Sequence, residues 1–448
     1  MNQTFPEAGR PARARVAVEN LGCKVNRYEA DAIAQRFRQA GYSLVEYSEK
    51  ADIYILNTCG VTNEAARKSR QQLHKAKRHN PEALVVAIGC QAELKPDELP
   101  ADLCIGNVGK ENLLETIEAF LLSGTAPDRV EIAGIRDFAE FGSVTEQRET
   151  RAYLKVQDGC NNFCSYCAIP LARGRVRSRE EEQVLAEAFQ LAEQGYKEVV
   201  LTGIHVCSYG EDRGESSTAL VDLIAEIAAV EGLERIRLSS LEPQSISAEF
   251  VDRAAHIPKL CPHFHLSLQS GSDVILKAMN RRYDTAVYRD AVRRLREAFP
   301  IVGITTDVIV GFPGETETEF AETLTFCEEM AFSRLHVFRY SERPGTKAVR
   351  LPAKVTAQVA KDRSERLLAL GDQLQSRALA EAEGRVAEVL LENRDNAGHW
   401  QGYTPDYLLA ELTDALTVQD QLEEGQIVTL RLMDHVAGRI RTEINAVL

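Results

Sequence analysis

Three closely spaced cysteines give the sequence its strongest chemical signal. Cys160, Cys164 and Cys167 form a Cys-x3-Cys-x2-Cys pattern in a loop after the predicted strand 153–157. Three thiolates can ligate three irons of a cubane 4Fe-4S cluster and leave the fourth iron open to a substrate or cofactor. A structural zinc site normally has four protein ligands, and no fourth Cys or His follows at zinc-finger spacing. The triplet therefore predicts an iron-sulfur cluster with one open iron.

Three cysteines near the N-terminus share a second pattern. Cys23, Cys59 and Cys90 each lie just beyond a short apolar run that predicts a parallel β-strand. Open α/β sheets bind ligands at the carboxyl ends of their strands, so we expect these thiols along one edge of a sheet. Ten cysteines in 448 residues are too few for a disulfide scaffold. The cysteines outside both patterns, which we interpret as packing residues, are Cys104, Cys207, Cys261 and Cys327.

The elements that must position these cysteines predict a multi-domain α/β protein. In residues 13–125, β-branched runs alternate with amphipathic helical patterns, which is typical of a doubly wound parallel sheet. After a turn-rich linker, 126–150, six β/α repeats in residues 151–355 predict a central partial (β/α)6 barrel. A connecting helix follows over residues 356–382. Five short strand patterns in residues 383–448 indicate a small antiparallel β-barrel that binds RNA or, alternatively, stabilises or dimerises the chain.

The first cysteine triplet resembles the motif of the radical S-adenosylmethionine (SAM) enzymes, with Tyr166 as the aromatic residue of Cys-x3-Cys-x-aromatic-Cys. The resemblance implies that Cys160, Cys164 and Cys167 ligate the radical-generating cluster that binds SAM, and that Tyr166 packs near the adenine. Other strand ends supply candidate SAM contacts, where glycines would let the backbone approach a ligand or simply form tight turns. These candidates are Thr202, Gly203, Ser239, Gln269, Ser270, Gly311 and Phe312.

The two cysteine triplets, the barrel and the C-terminal module together resemble the methylthiotransferases over essentially the whole chain. The resemblance implies that Cys23, Cys59 and Cys90 ligate an auxiliary 4Fe-4S cluster with one open iron, which handles the sulfur. It also implies a TRAM-like C-terminal barrel and two SAM molecules per turnover. A sulfur source and a low-potential electron-donor protein are implied as partners.

Three motifs are similar to the MtaB type of this family, which modifies N6-threonylcarbamoyladenosine at tRNA position 37: Gly22-Cys23-Lys24-Val25-Asn26, Ser267-Leu268-Gln269-Ser270 and Met279-Asn280-Arg281-Arg282-Tyr283. Relatives that modify isopentenyladenosine usually have Gly-Cys-Gln-Met-Asn at the first motif. Relatives that modify a ribosomal-protein aspartate usually have Pro-Leu-Gln-His at the second. The resemblance implies C2 methylthiolation of the tRNA base, with those two substrates, and a non-catalytic iron-sulfur protein, as alternatives. Gly60 and Arg339 depart from the family's usual Thr and Pro.

The acidic composition limits where RNA can bind. The chain has 53 basic and 67 acidic residues and a formal net charge of −14, so we expect RNA contact to be local and to weaken with salt. A run of arginines after the first triplet could bind phosphate through bidentate hydrogen bonds, with a solvated, ion-paired face as the alternative. The predicted RNA contacts are Arg173, Arg175, Arg177 and Arg179.

Two further features are weaker RNA candidates. One predicted helix carries Lys75, Lys77, Arg78 and His79. Residues 383–448 contain 12 acidic and 5 basic residues, so that module would need a local basic face or aromatic side chains on which bases stack. Its aromatic candidates are Trp400, Tyr403 and Tyr407.

Composition also indicates the cellular setting. Hydrophobic residues make up 44% and charged residues 27% of the chain, which are ordinary values for a globular protein. No apolar run approaches the roughly 20 residues that span a bilayer. The first 15 residues contain three arginines and no apolar segment, which argues against a secretory signal. We expect a cytoplasmic enzyme that needs neither a membrane nor a particular oligomeric state.

Overall fold

The computed structural model describes residues 14–444, except for the side chains of residues 416 and 417. Three sequence predictions fall wholly or partly outside these residues: the domain start at residue 13, the absence of a secretory signal in residues 1–15 and the strand end at Asn445. Every helix within residues 14–444 is too short or too polar to cross a bilayer.

The N-terminal unit is a parallel five-stranded sheet with helices on both faces, as predicted. The strand order is β2-β1-β3-β4-β5. Ile33 and Ile117 pack against one face, and Leu73 packs against the other. The elements are β1 (Arg15–Asn20), α1 (Lys24–Gln39), β2 (Ser43–Leu44), β3 (Ile53–Thr58), α2 (Asn63–His79), β4 (Leu84–Gly89), α3 (Cys90–Leu94), β5 (Leu103–Ile105) and α4 (Leu113–Ser123).

The register of this sheet aligns the carboxyl ends of β1, β3 and β4. Asn20 pairs with Asn57, and Thr58 pairs with Gly89. Because the three strands are parallel, the loops that follow them leave the sheet at the same edge. This register is what places the three N-terminal cysteine loops side by side.

The predicted linker, residues 126–150, contains a single 3-10 turn at Ile132–Gly134 and no α-helix or β-strand. Part of it nevertheless packs on the first unit. Phe141 and Val144 are buried in the N-terminal core, and the Thr145 backbone N–H donates to Gln35 Oε1 (2.9 Å). The predicted domain boundaries therefore stay a prediction, since contacts cross this one.

The central unit is an open barrel of six parallel strands in the order β6-β9-β10-β11-β12-β13. Isolated bridges at Ile236–Leu260 and Leu241–Leu266 connect its two three-stranded sheets. No strand pair within residues 14–444 joins β6 to β13, so the barrel is partial, as predicted. The elements are β6 (Ala152–Lys155), β7 (Gln157–Asp158), α5 (Ile169–Arg173), β8 (Arg177–Ser178), α6 (Glu181–Glu193), β9 (Glu198–Thr202), α7 (Ala219–Ala228), β10 (Arg235–Leu238), α8 (Ala248–Ala255), β11 (His263–His265), α9 (Asp273–Ala278), α10 (Thr285–Ala298), β12 (Gly303–Val310), α11 (Glu317–Met330) and β13 (Arg334–Arg339).

A long helix joins this barrel to the C-terminal module. Thr356 caps α12 (Ala357–Ala382) by accepting a hydrogen bond from the Val359 backbone N–H (3.3 Å). Leu367 packs in the core of the central barrel, whereas Leu379 packs in the core of the C-terminal module. One helix therefore contributes to two hydrophobic cores.

The C-terminal module is a closed five-stranded barrel in the order β14-β15-β16-β18-β17. Its elements are β14 (Val386–Arg394), β15 (Trp400–Tyr403), β16 (Leu409–Leu412), α13 (Leu416–Gln419), β17 (Ile427–Val436) and β18 (Arg439–Ile444). The small barrel is as predicted, but one of its strand pairs is parallel. The short helix α13 carries the chain away from β16, so that β18 closes the barrel by running parallel to β16.

Candidate active site

The first cysteine triplet lies in a loop that begins at Gly159. This glycine has φ +73°, and a side chain there would collide with the carbonyl of Arg175. The Cys160 backbone N–H donates to the Gly174 carbonyl (3.1 Å), and the Cys167 N–H donates to the Cys164 carbonyl (3.0 Å). These bonds fold the loop so that its three thiols are neighbours.

The electrostatics of the three thiols show that they form one group. Burial, reinforced by a negative charge on Cys164, raises the pKa of Cys160 to about 11 and that of Cys167 to about 12. A bound iron cluster would instead favour the thiolate forms, because metal binding displaces the protons of its cysteine ligands. The triplet therefore fits a site that is ionised by its metal.

Arg281 and Glu242 complete this part of the site, and the sequence did not single out their roles. Arg281 Nη1 donates to Cys164 Sγ (3.2 Å), and its Nη2 lies 2.7 Å from Glu242 Oε1. Asn162 Nδ2 donates to the same carboxylate oxygen (2.9 Å). Although burial alone would raise the pKa of Glu242, a hydrogen bond from His205 and the charge of Arg281 lower it to about 2. A fixed ion pair thus lies against the cysteine loop.

The motif that contains Arg281 also stabilises the cysteine loop through two hydrogen bonds. The Ser165 backbone N–H donates to the Met279 carbonyl (2.9 Å), and Asn280 Nδ2 donates to the Phe163 carbonyl (3.0 Å). The motif at residues 279–283 is the sequence signal that could have identified this support for the loop. The motif was recognised, but no function was assigned to it.

The predicted SAM contacts have distinct local environments. Tyr166 packs edge-on against Phe312, with ring centroids 6.5 Å apart. Thr202 Oγ1 and Ser239 Oγ are buried at strand ends with no hydrogen-bond partner among the described residues. Buried hydroxyls are costly when unpaired, so this pair fits a site for a polar ligand such as SAM. Gly203 leaves room for Gln157, whose Oε1 would lie 2.9 Å from a β-carbon there.

One other predicted SAM contact, Ser270, needs correction, and Gly311 is constrained by packing. Ser270 is buried away from the cavity, where its Oγ lies 3.2 Å from Thr323 Oγ1 of α11. Gly311 has φ +76°, and its N–H donates to Glu315 Oε2 (2.6 Å). A side chain at Gly311 would lie 2.7 Å from the Ala360 Cβ of α12. Both residues therefore stabilise packing between elements, and the Ser270 hydroxyl is already hydrogen-bonded.

The second cysteine triplet occupies the edge of the N-terminal sheet, as the strand pattern predicted. Cys23 precedes α1 and is exposed, Cys59 follows β3 and is half-buried, and Cys90 begins α3 and is buried. Burial and the charges of the other two cysteines raise the pKa of Cys59 to about 12. Cys23 and Cys90 are therefore close enough to Cys59 to influence it, although the three thiols lie on separate loops.

Small residues allow these loops to approach. Gly89 has φ +89°, and a side chain there would collide with Asn57. A β-carbon added at Gly60 would lie 3.2 Å from the Cys90 Cβ. The threonine that is usual in the family would therefore be crowded at this position. The glycine that replaces this threonine at position 60 thus accompanies close packing between the Cys59 and Cys90 loops.

A buried network of charges connects the two triplets. Glu29 Oε1 of α1 lies 2.9 Å from both Arg173 Nη1 and Lys155 Nζ, and Glu29 also pairs with Lys110. Asp158, directly before Gly159, lies 2.9 Å from Arg173 Nη1. Although burial would raise them, the surrounding cations hold the pKa values of Glu29 and Asp158 below their usual range. The network stays ionised because acids and bases from both units compensate one another.

Two asparagines extend this network to the second triplet. Arg173 Nη2 donates to Asn26 Oδ1 (2.9 Å), which also lies 3.3 Å from Cys23 Sγ. Lys110 Nζ donates to Asn107 Oδ1 (2.8 Å), and Asn107 Nδ2 donates to Cys90 Sγ (3.7 Å). Sequence reasoning missed this network because its members are scattered between residues 26 and 173.

The network overturns most of the predicted RNA contacts. Arg173 is 0% exposed and Arg177 is 4% exposed, and both lie near Asp158. Arg179 is 1% exposed and pairs with Glu187 and Glu140. These three arginines cannot bind phosphate from solvent, because their side chains are buried. Arg175 alone of the four is exposed, with its guanidinium carbon 4.5 Å from the centre of the Phe163 ring.

One cavity of about 200 Å³ brings the two triplets together. Cys167 lines it from the barrel, and Cys90 lines it from the N-terminal sheet. The cavity wall also includes Tyr166, Gln269 and Asp307. A ligand in this cavity would therefore touch a member of each cysteine group.

Both cysteine triplets have the thiol donors that iron-sulfur clusters require. Within residues 14–444, no three His, Cys, Asp or Glu side chains are placed to hold one metal ion. Thiolates on one tetrahedral zinc ion would lie about 3.8 Å apart, from a Zn–S bond of about 2.3 Å. A cubane spreads its thiolates over different irons, so it accepts a wider arrangement. The grouped thiols and the unpaired hydroxyls are the features that fit a cluster with bound SAM.

Comparison with known proteins identifies two matching family models and several sequence relatives. Residues 154–327 match the model of the Radical SAM superfamily, and residues 15–105 match Uncharacterized protein family UPF0004. The chain is 42% identical to "Threonylcarbamoyladenosine tRNA methylthiotransferase MtaB" of Bacillus subtilis, over 88% of this chain and 89% of the relative. It is 35% identical to "tRNA-2-methylthio-N(6)-dimethylallyladenosine synthase" of Thermoanaerobacter sp., over 84% of this chain and 81% of the relative.

A solved structure supports the fold alone. The radical SAM methyltransferase TsrM from Kitasatospora setae aligns with a TM-score of 0.56 at 16% identity, over 75% of this chain and 77% of that one. The sequence relatives carry the family assignment because they cover most of the chain, and the two matching family models span both cysteine triplets. The chain therefore belongs to the radical SAM methylthiotransferases, in the MtaB type of that family.

Proposed function

We propose that the protein converts N6-threonylcarbamoyladenosine at position 37 of tRNA to its 2-methylthio derivative. The observation that carries this proposal is the cavity lined by both Cys167 and Cys90. Transfer of a methylthio group needs radical formation and sulfur delivery at one place, and a shared cavity supplies that proximity. The relative that is 42% identical carries the matching name.

The first triplet, Cys160, Cys164 and Cys167, would hold the SAM-binding 4Fe-4S cluster. When bound, this cluster supplies the low-potential electron that cleaves SAM and yields a radical able to attack a C2–H bond that acid–base catalysis cannot activate. Tyr166 would cover the adenine, and the free hydroxyls of Thr202 and Ser239 would bind polar groups of SAM. The Arg281–Glu242 pair would fix the cysteine loop against the cluster.

The second triplet, Cys23, Cys59 and Cys90, would hold an auxiliary 4Fe-4S cluster that carries the sulfur. Support comes from the common edge of the sheet, the effect of Cys23 and Cys90 on the pKa of Cys59 and the buried network around the three thiols. Two SAM molecules, one as methyl donor and one as radical source, would be consumed in each turnover. A sulfur source and a low-potential electron-donor protein would be the remaining partners.

The tRNA-binding surface would include the outer face of α2. This helix has six basic residues and one acidic residue, although the whole chain is strongly acidic. Arg67, Lys75 and Arg78 have no hydrogen-bond or ion-pair partner within residues 14–444, whereas Lys77 pairs with Asp102. Because α2 begins three residues after the cavity-lining Gly60, this face could bind phosphates while the base enters the cavity.

Nucleoside analysis tests the substrate directly. Cells that lack the gene should lose 2-methylthio-N6-threonylcarbamoyladenosine from their tRNA, and the wild-type gene should restore it while a Cys164→Ala gene should not. Loss of the dimethylallyl derivative instead would assign the protein to that second tRNA substrate. A mass change confined to a ribosomal-protein aspartate would reject tRNA as the substrate.

Iron analysis tests the cofactors. Anaerobic reconstitution should give about eight irons per chain if two cubanes form. Replacement of Cys23, Cys59 and Cys90 by alanine should reduce the content to about four and preserve SAM cleavage. A wild-type content near four that is unchanged in that variant would reject the auxiliary cluster.

A further inference from the structure

Arg343 lies buried beside the auxiliary cysteines without a carboxylate partner. Its side chain is 4% exposed, and its Nε has no hydrogen-bond partner among the described residues. Its Nη1 donates to Asn63 Oδ1 (2.8 Å), and its Nη2 donates to Gln91 Oε1 (3.2 Å). Gln91 follows Cys90 directly, and Asn63 begins α2 after the Cys59 loop. The guanidinium is therefore attached to two of the three cysteine loops.

The loop that carries Arg343 also reaches the shared cavity. Ser341 lines the cavity, and its Oγ accepts a hydrogen bond from the Asn63 backbone N–H (3.1 Å). The segment after β13 thus contacts both the cavity and the start of α2. Arg343 is placed where the barrel and the N-terminal sheet meet.

The charge of Arg343 lacks the compensation found elsewhere in the site. Arg173 and Lys155 are surrounded by the carboxylates of Glu29 and Asp158. Glu98 acts on Arg343 from a distance, but its ion pairs are with Lys95 and Arg70. An arginine stays protonated at neutral pH, and a buried charge is costly when it is unpaired.

The position of Arg343 indicates where the compensating anion belongs. Both of its hydrogen-bond acceptors follow auxiliary cysteines in the chain: Gln91 directly follows Cys90, and Asn63 lies four residues after Cys59. The guanidinium is therefore held between these two loops. The compensating charge belongs at the auxiliary cysteines.

We propose that Arg343, held by Asn63 and Gln91, forms an anion site that positions a sulfur anion of the hydrosulfide or thiolate class at the auxiliary cysteines. The inference rests on the proposed function, because it requires that Cys23, Cys59 and Cys90 hold a cluster with an open iron. Arg343 is then a positioning residue that stabilises the sulfur before its transfer. It also offsets negative charge that would otherwise disfavour reduction of the cluster.

The experiment uses the full-length chain with only the auxiliary cluster, obtained by replacing Cys160, Cys164 and Cys167 with alanine. In this background we compare Arg343 with Arg343→Gln and Arg343→Lys. Sodium sulfide and sodium methanethiolate are titrated separately, and the electron paramagnetic resonance spectrum of the reduced cluster reports binding. The midpoint potential of the cluster without added sulfur is measured in parallel.

Arg350→Gln is the matched control. Arg350 lies seven residues further along, is exposed and has no hydrogen-bond or ion-pair partner within residues 14–444. The substitution removes the same charge without touching the cysteine loops. It should leave sulfur affinity and midpoint potential unchanged.

Arg343→Gln should weaken binding of at least one sulfur probe about tenfold or more, because the variant cannot make a charge-assisted interaction in a buried site. Its midpoint potential should fall, and Arg343→Lys should retain most of both properties. Preference for sulfide over methanethiolate would identify the hydrosulfide as the anion held, and the reverse preference would identify a thiolate. Unchanged affinity and potential in Arg343→Gln would overturn the inference.

Folding defects are separated by iron content and thermal melting of the same samples. Equal loss of iron in Arg343→Gln and Arg343→Lys would show that Arg343 only supports the loops, and would overturn the anion site. Failure of the background protein to bind a cluster while Arg343 is intact would instead reject the auxiliary cluster of the proposed function.

Discussion

Arg173 and Glu29 join the two halves of the site across the boundary between the barrel and the N-terminal sheet. Arg173 Nη1 lies 2.9 Å from Glu29 Oε1, and both side chains are buried. Arg173 ends α5, which begins two residues after Cys167, whereas Glu29 belongs to α1, which begins directly after Cys23. The pair therefore fixes the two cysteine triplets relative to each other.

Removal of Arg173 should destabilise the protein. Arg173→Ala leaves the buried carboxylates of Glu29 and Asp158 undercompensated, and breaking such a pair costs about 3–5 kcal/mol of the free energy of unfolding. Urea denaturation followed by circular dichroism measures the loss. Arg175→Ala, at the exposed neighbouring arginine, should change the free energy by about 1 kcal/mol or less. Normal stability of Arg173→Ala combined with reduced tRNA affinity would restore the RNA role that the structure argues against.

The unpaired hydroxyls at two strand ends should matter for SAM and not for folding. Thr202→Val and Ser239→Ala should leave the melting temperature unchanged or slightly higher, because each removes a buried polar atom without a partner. Their affinity for SAM should fall about tenfold, as expected when the protein makes one hydrogen bond fewer to a charged ligand. Equilibrium dialysis of the reconstituted enzyme measures this affinity.

Ser270→Ala provides the contrast for those two variants. Its hydroxyl bonds to Thr323, so the substitution should cost about 1 kcal/mol of stability and leave SAM affinity unchanged. Loss of SAM binding in Ser270→Ala alone would contradict two assignments. These are Thr202 and Ser239 as SAM contacts, and Ser270 as a packing residue.

The placement of the cysteines could be predicted because it follows from local rules. Cys59 comes directly after β3 and Cys90 directly after β4, and parallel strands end at one edge of their sheet. Short-range spacing likewise predicted the loop that holds Cys160 and Cys167. Both inferences need only the strand pattern and the direction of the chain.

The fate of the arginine run could not be predicted, since it depends on contacts between distant segments. Arg173 meets Glu29, which lies 144 residues earlier in the chain. Gly311 looked like a ligand-approach residue, yet the constraint on it comes from Ala360 of α12. A single sequence reports that such residues are charged or small, but not which element will pack against them.

Asp31 should make stability depend on pH. Burial raises its pKa from 3.8 to about 7, and its Oδ2 has no hydrogen-bond partner among the described residues. Since the folded pKa exceeds the unfolded value, the folded state binds more protons between about pH 4 and 7, and stability falls as pH rises through that window.

Asp31→Asn should remove this dependence. Between pH 5 and pH 8, the free energy of unfolding of the variant should rise by about 2–3 kcal/mol relative to that of the wild type. This value follows from about 1.4 kcal/mol per pH unit over the roughly two units between pH 5 and the folded pKa of Asp31. Urea denaturation at both pH values measures the difference. Parallel stability changes in the two proteins would contradict the raised pKa of Asp31.

The basic face of α2 should determine much of the affinity for tRNA. Lys75→Glu combined with Arg78→Glu should weaken tRNA binding and reduce the slope of log affinity against log salt by about 0.7–0.9 for each phosphate that the helix no longer neutralises. SAM cleavage without RNA should be unaffected, because neither residue lines the cavity. Fluorescence anisotropy with labelled tRNA at several salt concentrations measures both the affinity and the slope.

Arg293→Glu is the control for that surface, since Arg293 is an exposed arginine of α10 that already pairs with Asp290 and Glu297. Reversing the charge at position 293 should change tRNA affinity little, because the charge of Arg293 is already compensated by its two acidic neighbours. Equal decreases in the α2 and Arg293 variants would mean that RNA responds only to net charge. A selective decrease in the α2 variant would show that an acidic chain recruits RNA through one local helix that leads to its cavity.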